Sequence, residues 1–204
     1  VGGFTLENNG STFGVGIVGN GSVHDQVGSD SLNNSGLADS KIDAAVALTV
    51  SVWVKSDDTG VDRSIIGTTQ VAGPVNAGWQ LFYDDLASTI NVDSDQSSGT
   101  DLAIKSSTSI HSTAWQHIVY RWNVTVAQRS GELFINGTNN TLSLSDSSSG
   151  NPQTSVSFRI GAGYGGGTAW DGMIDQVMVW NRYLNTSDIT DLFNSGLGLS
   201  CNDL

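Results

Sequence analysis

Residues 170–196 limit the fold of this chain more than any other stretch. They read WDGMIDQVMVWNRYLNTSDITDLFNSG, an apolar run followed by a polar turn and a short amphipathic segment. The run over 173–180 is predicted to be a strand, and apolar residues on both of its faces favour a central strand covered on both sides. Thr186 or Ser187 can cap a helix over 187–194, which Gly196 can end.

Strict alternation divides this predicted strand into two faces. One face would carry Met173, Asp175, Val177 and Val179, and the other would carry Ile174, Gln176, Met178 and Trp180. A carboxylate inside such an apolar run has to be paired with a cation or accept hydrogen bonds, because an isolated buried charge is costly. The available partners for Asp175 include an arginine such as Arg159 or Arg182, backbone N–H groups, or a metal ion.

Composition favours a β-rich, loop-rich chain. Glycine occurs 25 times and proline twice in 204 residues, and the only glutamates are Glu7 and Glu132, so nearly all acidic residues are aspartates. Aspartate favours turns and caps, whereas glutamate favours helices. The 20 acidic and 8 basic residues give a net charge of −12, which argues against a nucleic acid or an anionic membrane as the partner.

Several further segments have the pattern of strands. Residues 46–55 alternate most clearly, with Leu48, Val50, Val52 and Val54 on one face, and 115–122, 132–136 and 156–160 follow the same rule. Neither a repeat nor a domain boundary is evident. We therefore predict a single all-β domain over 1–204, a two-sheet antiparallel jelly-roll sandwich with one short C-terminal helix.

The segments 48–55, 114–122 with 131–138, 157–163 and 170–196 occur in an order that resembles a known family. They read LTVSVWVK, AWQHIVYRW with GELFINGT, SFRIGAG and the stretch described above. Together they resemble laminin-G-like domains of the concanavalin A-like lectin and glucanase type, in particular those of microbial and phage surface proteins. The resemblance implies the jelly-roll fold and a place outside the cell, on a cell surface or on a virion surface.

The resemblance favours a non-catalytic recognition or adhesion module whose partner is a surface glycan or a protein. The alternative is a structural surface or virion component that packs against protein, including copies of itself, without binding glycan. No apolar run reaches membrane-spanning length, so membrane insertion is not expected. Cys201 is the single cysteine and cannot form an internal disulfide.

Catalysis is not expected from the acidic and histidine residues. A glycosidase needs two carboxylates close together, and Glu7 and Glu132 are far apart in the sequence. The chain contains no nucleophile motif of the Gly-x-Ser-x-Gly type, and His117 is expected to be a hydrogen-bonded framework residue. The glycine-rich segment 161–167 precedes a strand rather than a helix, which excludes a phosphate loop.

Aromatic residues beside polar loops are the candidates for glycan contact, because an exposed ring can stack on the face of a sugar. By this criterion the predicted ligand-binding residues are Trp79, Tyr83, Tyr164 and Trp170. The family resemblance also implies that Asp175 helps to bind a structural calcium ion, together with backbone oxygens from the N-terminal part of the chain. Calcium prefers several hard oxygen ligands of this kind.

Overall fold

The structure is a computed structural model. The described residues are 5–25, 27, 30–34, 45–57, 62–69, 78–94, 96–98, 102–107, 113–123, 130–145, 149–152, 157–163 and 169–199. The prediction for Tyr164 and the lone Cys201 therefore lie outside the described residues.

Seventeen strands and one α-helix are present in these ranges. The strands are β1 (Glu7–Asn9), β2 (Thr12–Val15), β3 (Asn20–His24), β4 (Ser31–Asn34), β5 (Ala47–Ser56), β6 (Arg63–Thr69), β7 (Gly78–Asp84), β8 (Thr89–Ser94), β9 (Gln96–Ser98), β10 (Leu102–Ser106), β11 (Gln116–Asn123), β12 (Ser130–Ile135), β13 (Thr138–Asn139), β14 (Thr141–Ser145), β15 (Ser149–Pro152), β16 (Phe158–Ile160) and β17 (Gly172–Trp180). The helix, α1, spans Thr186–Phe193, and a 3-10 turn over Asn194–Gly196 follows it.

The strands form two antiparallel sheets, which confirms the predicted jelly-roll sandwich. The eight-stranded sheet has the order β1-β4-β16-β6-β7-β8-β10-β14, and the seven-stranded sheet has the order β13-β12-β11-β5-β17-β3-β2. Strands β9 and β15 form a separate pair. Strands distant in sequence are neighbours in both sheets, so the fold depends on long-range pairing.

The predicted core face of β5 is confirmed. Leu48, Val50, Val52 and Val54 are at most 2% exposed and pack in one cluster with residues of both sheets. The facing residues come mainly from β6, β7, β8 and β10, and include Ile65, Ile66, Leu81, Ile90, Val92 and Ile104. Burial of this many branched apolar side chains is the main driving force for closing the sandwich.

The predicted faces of β17 are wrong because the strand contains a β-bulge. Asp175 pairs with Trp53 and Met178 pairs with Ser51, so three steps along β17 match two steps along β5. Gln176 has φ 47° at this bulge. The extra residue shifts the alternation, and Val177 and Val179 therefore pack against the same core as Ile174 instead of sharing the face of Asp175.

Helix α1 begins one residue earlier than predicted. Neither Thr186 nor Ser187 is the cap: the Asn185 side chain accepts a hydrogen bond from the Asp188 backbone N–H, and the Asp188 carboxylate accepts one from the Asn185 N–H. Asparagine is as good an N-cap as serine, and this capping box satisfies two N–H groups that the helix leaves free. Asn194 ends the helix in the left-handed conformation.

Helix α1 covers the outer face of the seven-stranded sheet. A set of contacts around Arg121, the Arg121 clamp, holds it there. The guanidinium, which is 6% exposed as a residue, donates to Glu132 Oε2 at 2.6 and 2.9 Å and to the Leu184 carbonyl at 2.7 Å. It also lies over the rings of Phe134 and Tyr183. The clamp fixes the chain where it leaves β17 and enters the helix.

A second contact on this outer face is a stack of rings around His117. The His117 ring lies 4.9 Å from Trp53 and 6.0 Å from Phe193 between ring centroids. Its Nε2 is 2.8 Å from Ser51 Oγ, and burial lowers the pKa of His117 to about 4. The expected role of His117 as a framework residue agrees with this position.

We predict that Glu132→Ala lowers the free energy of unfolding by about 3 kcal/mol, because it leaves the buried Arg121 guanidinium without its counter-ion. Urea denaturation measures the change, and Asp191→Ala, which removes an exposed carboxylate from α1, should change stability by less than about 0.5 kcal/mol. Equal effects of the two substitutions would contradict the role of the clamp.

We predict that acid destabilises the protein through His117. The folded pKa of about 4 lies below the unfolded value of 6.5, so the stabilising contribution is complete above pH 6.5 and is lost as the pH falls toward 4. At pH 5 this single group should cost about 2 kcal/mol relative to pH 7. Chemical denaturation at both pH values should give a smaller difference for His117→Gln.

Burial also lowers the pKa of His24, partly offset by the Asp30 carbonyl and charge, so His24 contributes in the same direction. The double variant His24→Gln, His117→Gln should therefore have the smallest pH dependence between pH 7 and 5. A pH dependence that is identical in the wild-type protein and in both variants would refute this account.

Candidate functional site

A groove of about 430 Å³ lies between one edge of the seven-stranded sheet and the adjacent edge of the eight-stranded sheet. Its walls come from β2, β3 and β17 of the seven-stranded sheet and from β4, β16 and the residues before β1 of the eight-stranded sheet. Its volume is within the range of about 300–1,000 Å³ that small-ligand sites commonly have. The groove is therefore large enough to hold a ligand of the size of a sugar.

An exposed aromatic ring stands at this groove. Phe13 is 62% exposed and lies on β2, the edge strand of the seven-stranded sheet, with Val15, which is 84% exposed, two residues further on. Asn20, which pairs with Val15 across the strands, also lines the groove and is exposed. Phe13 is not among the predicted ligand-binding residues; its position beside small and polar neighbours was the available signal.

Asp175 lies at the β17 bulge and lines the same groove, although only 7% of it is exposed. Its Oδ2 accepts a hydrogen bond from the Val18 N–H at 3.0 Å, and its Oδ1 accepts one from the Gln176 N–H at 2.7 Å. Gly16 packs so closely that a Cβ there would clash with Oδ2. The turn after β2 therefore has to be glycine at this position.

Both arginines considered as partners of Asp175 bind elsewhere. Arg159 donates to the Gly163 carbonyl at 3.1 Å, and the guanidinium of Arg182 is 4.0 Å from Asp188. Of the two kinds of protein partner considered for Asp175, arginine and backbone N–H groups, the structure shows the backbone N–H groups. Each carboxylate oxygen of Asp175 thus accepts one hydrogen bond. Because a carboxylate can accept more than two bonds, both oxygens can still bind a further partner.

The donor atoms around Asp175 fit a hard cation. The neighbouring Gln176 Oε1 is buried and has no hydrogen-bond partner in the described part of the chain. Within that part, no cluster of three or more His, Cys, Asp or Glu residues forms a metal site. Any ion here would consequently depend on Asp175, the amide oxygen of Gln176 and backbone carbonyls, a set that suits calcium better than zinc.

The three described aromatic residues predicted to contact glycan are in the core. Trp79, Tyr83 and Trp170 are 2%, 4% and 3% exposed, and all three belong to the main hydrophobic cluster. The expectation that they offer an exposed ring is therefore wrong: strand ends in a sandwich of this size are still covered by the opposite sheet. Trp170 donates its Nε1–H to the Lys55 carbonyl at 3.3 Å, which fixes the start of β17.

The two glutamates are on different sheets. Glu7 lies on β1 at the edge of the eight-stranded sheet, whereas Glu132 on β12 binds Arg121, Tyr183 and Asn139. They do not form the close pair that glycoside hydrolysis needs. No helix in the described ranges is long and apolar enough to cross a membrane.

Solved structures with the same fold include several binding domains. The binding domain of paraclostridial mosquitocidal protein 1 superposes with a TM-score of 0.71 and 18% identity, over 94% of this chain and 47% of that one. The receptor-binding domain of botulinum neurotoxin C/D mosaic serotype gives 0.67 and 17% identity, with the same coverage. This chain thus spans about half the length of these two domains.

A third structure matches over more of its own length. Domain 4 of an extracellular arabinanase from Geobacillus stearothermophilus, solved in complex with arabinotriose, gives a TM-score of 0.57 and 16% identity over 97% of this chain and 82% of that one. At these identities the likeness shows the fold alone. No curated protein sequence matches the chain.

The amino-acid sequence also matches the model of a known protein family. The laminin-G-like model described as the concanavalin A-like lectin/glucanases superfamily matches residues 28–190, which is most of the chain. This range contains β4 to β17 and the start of α1, and so includes the bulge with Asp175. The protein therefore belongs to the concanavalin A-like lectin/glucanases superfamily.

Proposed function

We propose that this protein is a non-catalytic recognition module that binds carbohydrate in the groove beside Phe13. The observation that carries the proposal is a ring that is 62% exposed at the groove, with the exposed Asn20 beside it. Phe13 and Val15 are exposed together on the edge strand β2, and an exposed ring can stack on a sugar. Amide and carboxylate groups at the same groove can bind hydroxyls.

The family and the fold support this proposal. The family takes its description from lectins and glucanases, and the similar structures include toxin receptor-binding domains and a domain solved with arabinotriose. A role outside the cell, on a cell or virion surface, follows from the same proposal, because surface glycans are found there. The net charge of −12 is compatible with glycan and protein partners and opposes nucleic acid.

The proposal of a non-catalytic role rests on the carboxylates. Asp175 is the only acidic side chain that lines the groove among the described residues, and its oxygens already accept two backbone N–H groups. A hydrolase of this fold would need a second carboxylate on the opposite side of the bound sugar.

A specific observation also favours the second candidate, a structural module that packs against protein. Strand β2 is an edge strand, and Phe13 and Val15 make its exposed side apolar. Unprotected edges of this kind can pair with another strand. Self-association would then involve the same surface, and a change in oligomeric state on Phe13→Ala would identify it.

We expect Phe13→Ala to weaken glycan binding by about tenfold, since a stacked ring contributes on the order of 1.4 kcal/mol. Calorimetry or array binding with a panel of polysaccharides gives the readout. Leu86→Ala is the matched control, because Leu86 is 97% exposed in the turn between β7 and β8 and is not among the groove residues. Both variants should melt like the wild-type protein.

If no glycan in the panel binds, or if Phe13→Ala binds as tightly as Leu86→Ala, glycan recognition at this groove is wrong. Analytical ultracentrifugation of the same three proteins then tests the structural alternative, which expects wild-type self-association that only Phe13→Ala abolishes.

We also propose that calcium binds at the bulge through Asp175 and the Gln176 amide oxygen, and stabilises the turn after β2. Calcium that binds only the folded protein raises its melting temperature with concentration. We expect chelation to lower the melting temperature of the wild-type protein by roughly 5 °C. Asp175→Asn, which keeps an oxygen at the same place without its charge, should not respond to the chelator.

The control is Asp191→Asn, an exposed aspartate on α1, which should respond to chelation like the wild-type protein. Melting curves that the chelator leaves unchanged, together with no calcium by elemental analysis, would leave the two backbone N–H groups as the sufficient partners of Asp175.

A further inference from the structure

The interior of the groove between β4, β16 and the end of β17 is apolar, and Ser22, Asp175 and Gln176 add polar side chains beside it. Its lining includes the buried Phe158, Ile160 and Ile174, and the half-buried Leu32, Val177 and Val179. These six side chains offer no hydrogen bonds to sugar hydroxyls, and a hydroxyl that enters among them loses its bonds to water at a cost. The interior is therefore suited to an apolar group of the ligand, whereas the polar part of the ligand has to stay at the mouth.

The groove also lacks positive charge. None of the lysines and arginines in the described ranges is among its lining residues, and Asp175 is the ionisable side chain that lines it. Arg159 lies between Phe158 and Ile160 on β16, but alternation turns it to the opposite face, where it binds the Gly163 carbonyl. In the calcium-free protein, an anionic sugar would meet the Asp175 carboxylate and the net charge of −12 without a compensating cation from any lysine or arginine of the lining.

The mouth of the groove combines a ring with an amide. Phe13 exposes its ring, and Asn20 exposes a side chain that can both donate and accept hydrogen bonds. An acetamido group on a sugar needs the same combination: its N–H and C=O require polar partners, and its methyl group requires an apolar pocket next to them.

We infer that the ligand is an uncharged glycan that bears N-acetyl groups, an inference that rests on the proposed function. The sugar ring lies against Phe13, the amide of the acetamido group meets Asn20, and its methyl group enters the apolar interior beside Val177 and Val179. In the calcium-free protein, uronic acid, sialic acid and sulfated glycans are repelled by the Asp175 carboxylate. Plain hexose glycans bind more weakly, because nothing on them fills the apolar interior.

A matched pair of oligosaccharides tests this selectivity by calorimetry. The tetramer of β-1,4-linked N-acetylglucosamine and the tetramer of β-1,4-linked glucose differ only in the acetamido group, and an oligogalacturonate serves as the anionic arm. We expect the N-acetylated tetramer to bind at least about tenfold more tightly than the glucose tetramer, from burial of the methyl group. With a calcium chelator present in all three titrations, the oligogalacturonate should not bind.

Val177→Thr is the variant that addresses the interior, since threonine has nearly the same shape and adds a hydroxyl. It should remove most of the preference for the N-acetylated tetramer, whereas Leu86→Ala should keep that preference. Should Val177→Thr fold poorly, NMR of the wild-type protein replaces it, because the N-acetylated tetramer should shift the methyl signals of Val177 and Val179 and the glucose tetramer should not.

The outcomes separate this inference from the proposed function. Equal binding of both neutral tetramers that depends on Phe13, or tighter binding of the oligogalacturonate, overturns the N-acetyl inference and leaves glycan recognition at the groove standing. Binding of the N-acetylated tetramer that does not depend on Phe13 or Val177 overturns the assignment to this groove. Absence of binding to any glycan in the wider panel overturns both.

Discussion

The bulge in β17 is the local feature on which the rest of the functional region depends. One extra residue between Asp175 and Met178 places Ile174, Val177 and Val179 on the core side and leaves Asp175 at the turn after β2. Gln176 adopts φ 47° at this point, a conformation that costs energy for a residue with a side chain. The cost is offset because both oxygens of Asp175 gain backbone N–H partners.

Burial on both faces gives the neighbouring strands their rigidity. β5 lies between β11 and β17, with its inner face in the main core and its outer face under the rings of His117 and Phe193. The Arg121 clamp and the contact of Ile189 with Val119 and Phe134 then fix α1 against the same sheet. A buried guanidinium without a partner would be strongly unfavourable, so the clamp holds the helix in one position. The groove thus lies at the edge of a well-packed sandwich.

The chemistry of the groove follows from its position at the edge of both sheets. Core residues form its interior, so its walls are apolar, while the strand ends and the turn after β2 supply an exposed ring, an amide and one carboxylate. Similar folds occur in proteins with different partners, so the fold gives no ligand by itself. The exposed ring, the apolar interior and the missing positive charge are what carry the proposals made for this protein.

The sequence by itself determined the fold class and much of the core. Alternation assigned Leu48, Val50, Val52 and Val54 to one buried face correctly, because side chains of a regular strand alternate without exception. It also located α1 to within one residue and the buried carboxylate Asp175.

Only the tertiary structure decided which residues share a face beyond the bulge, because a single inserted residue leaves the local pattern almost unchanged. Similarly, the exposure of Phe13 and the burial of Trp79, Tyr83 and Trp170 depend on where each strand lies in its sheet. That position is set by pairing between distant segments, which no local pattern in the sequence contains.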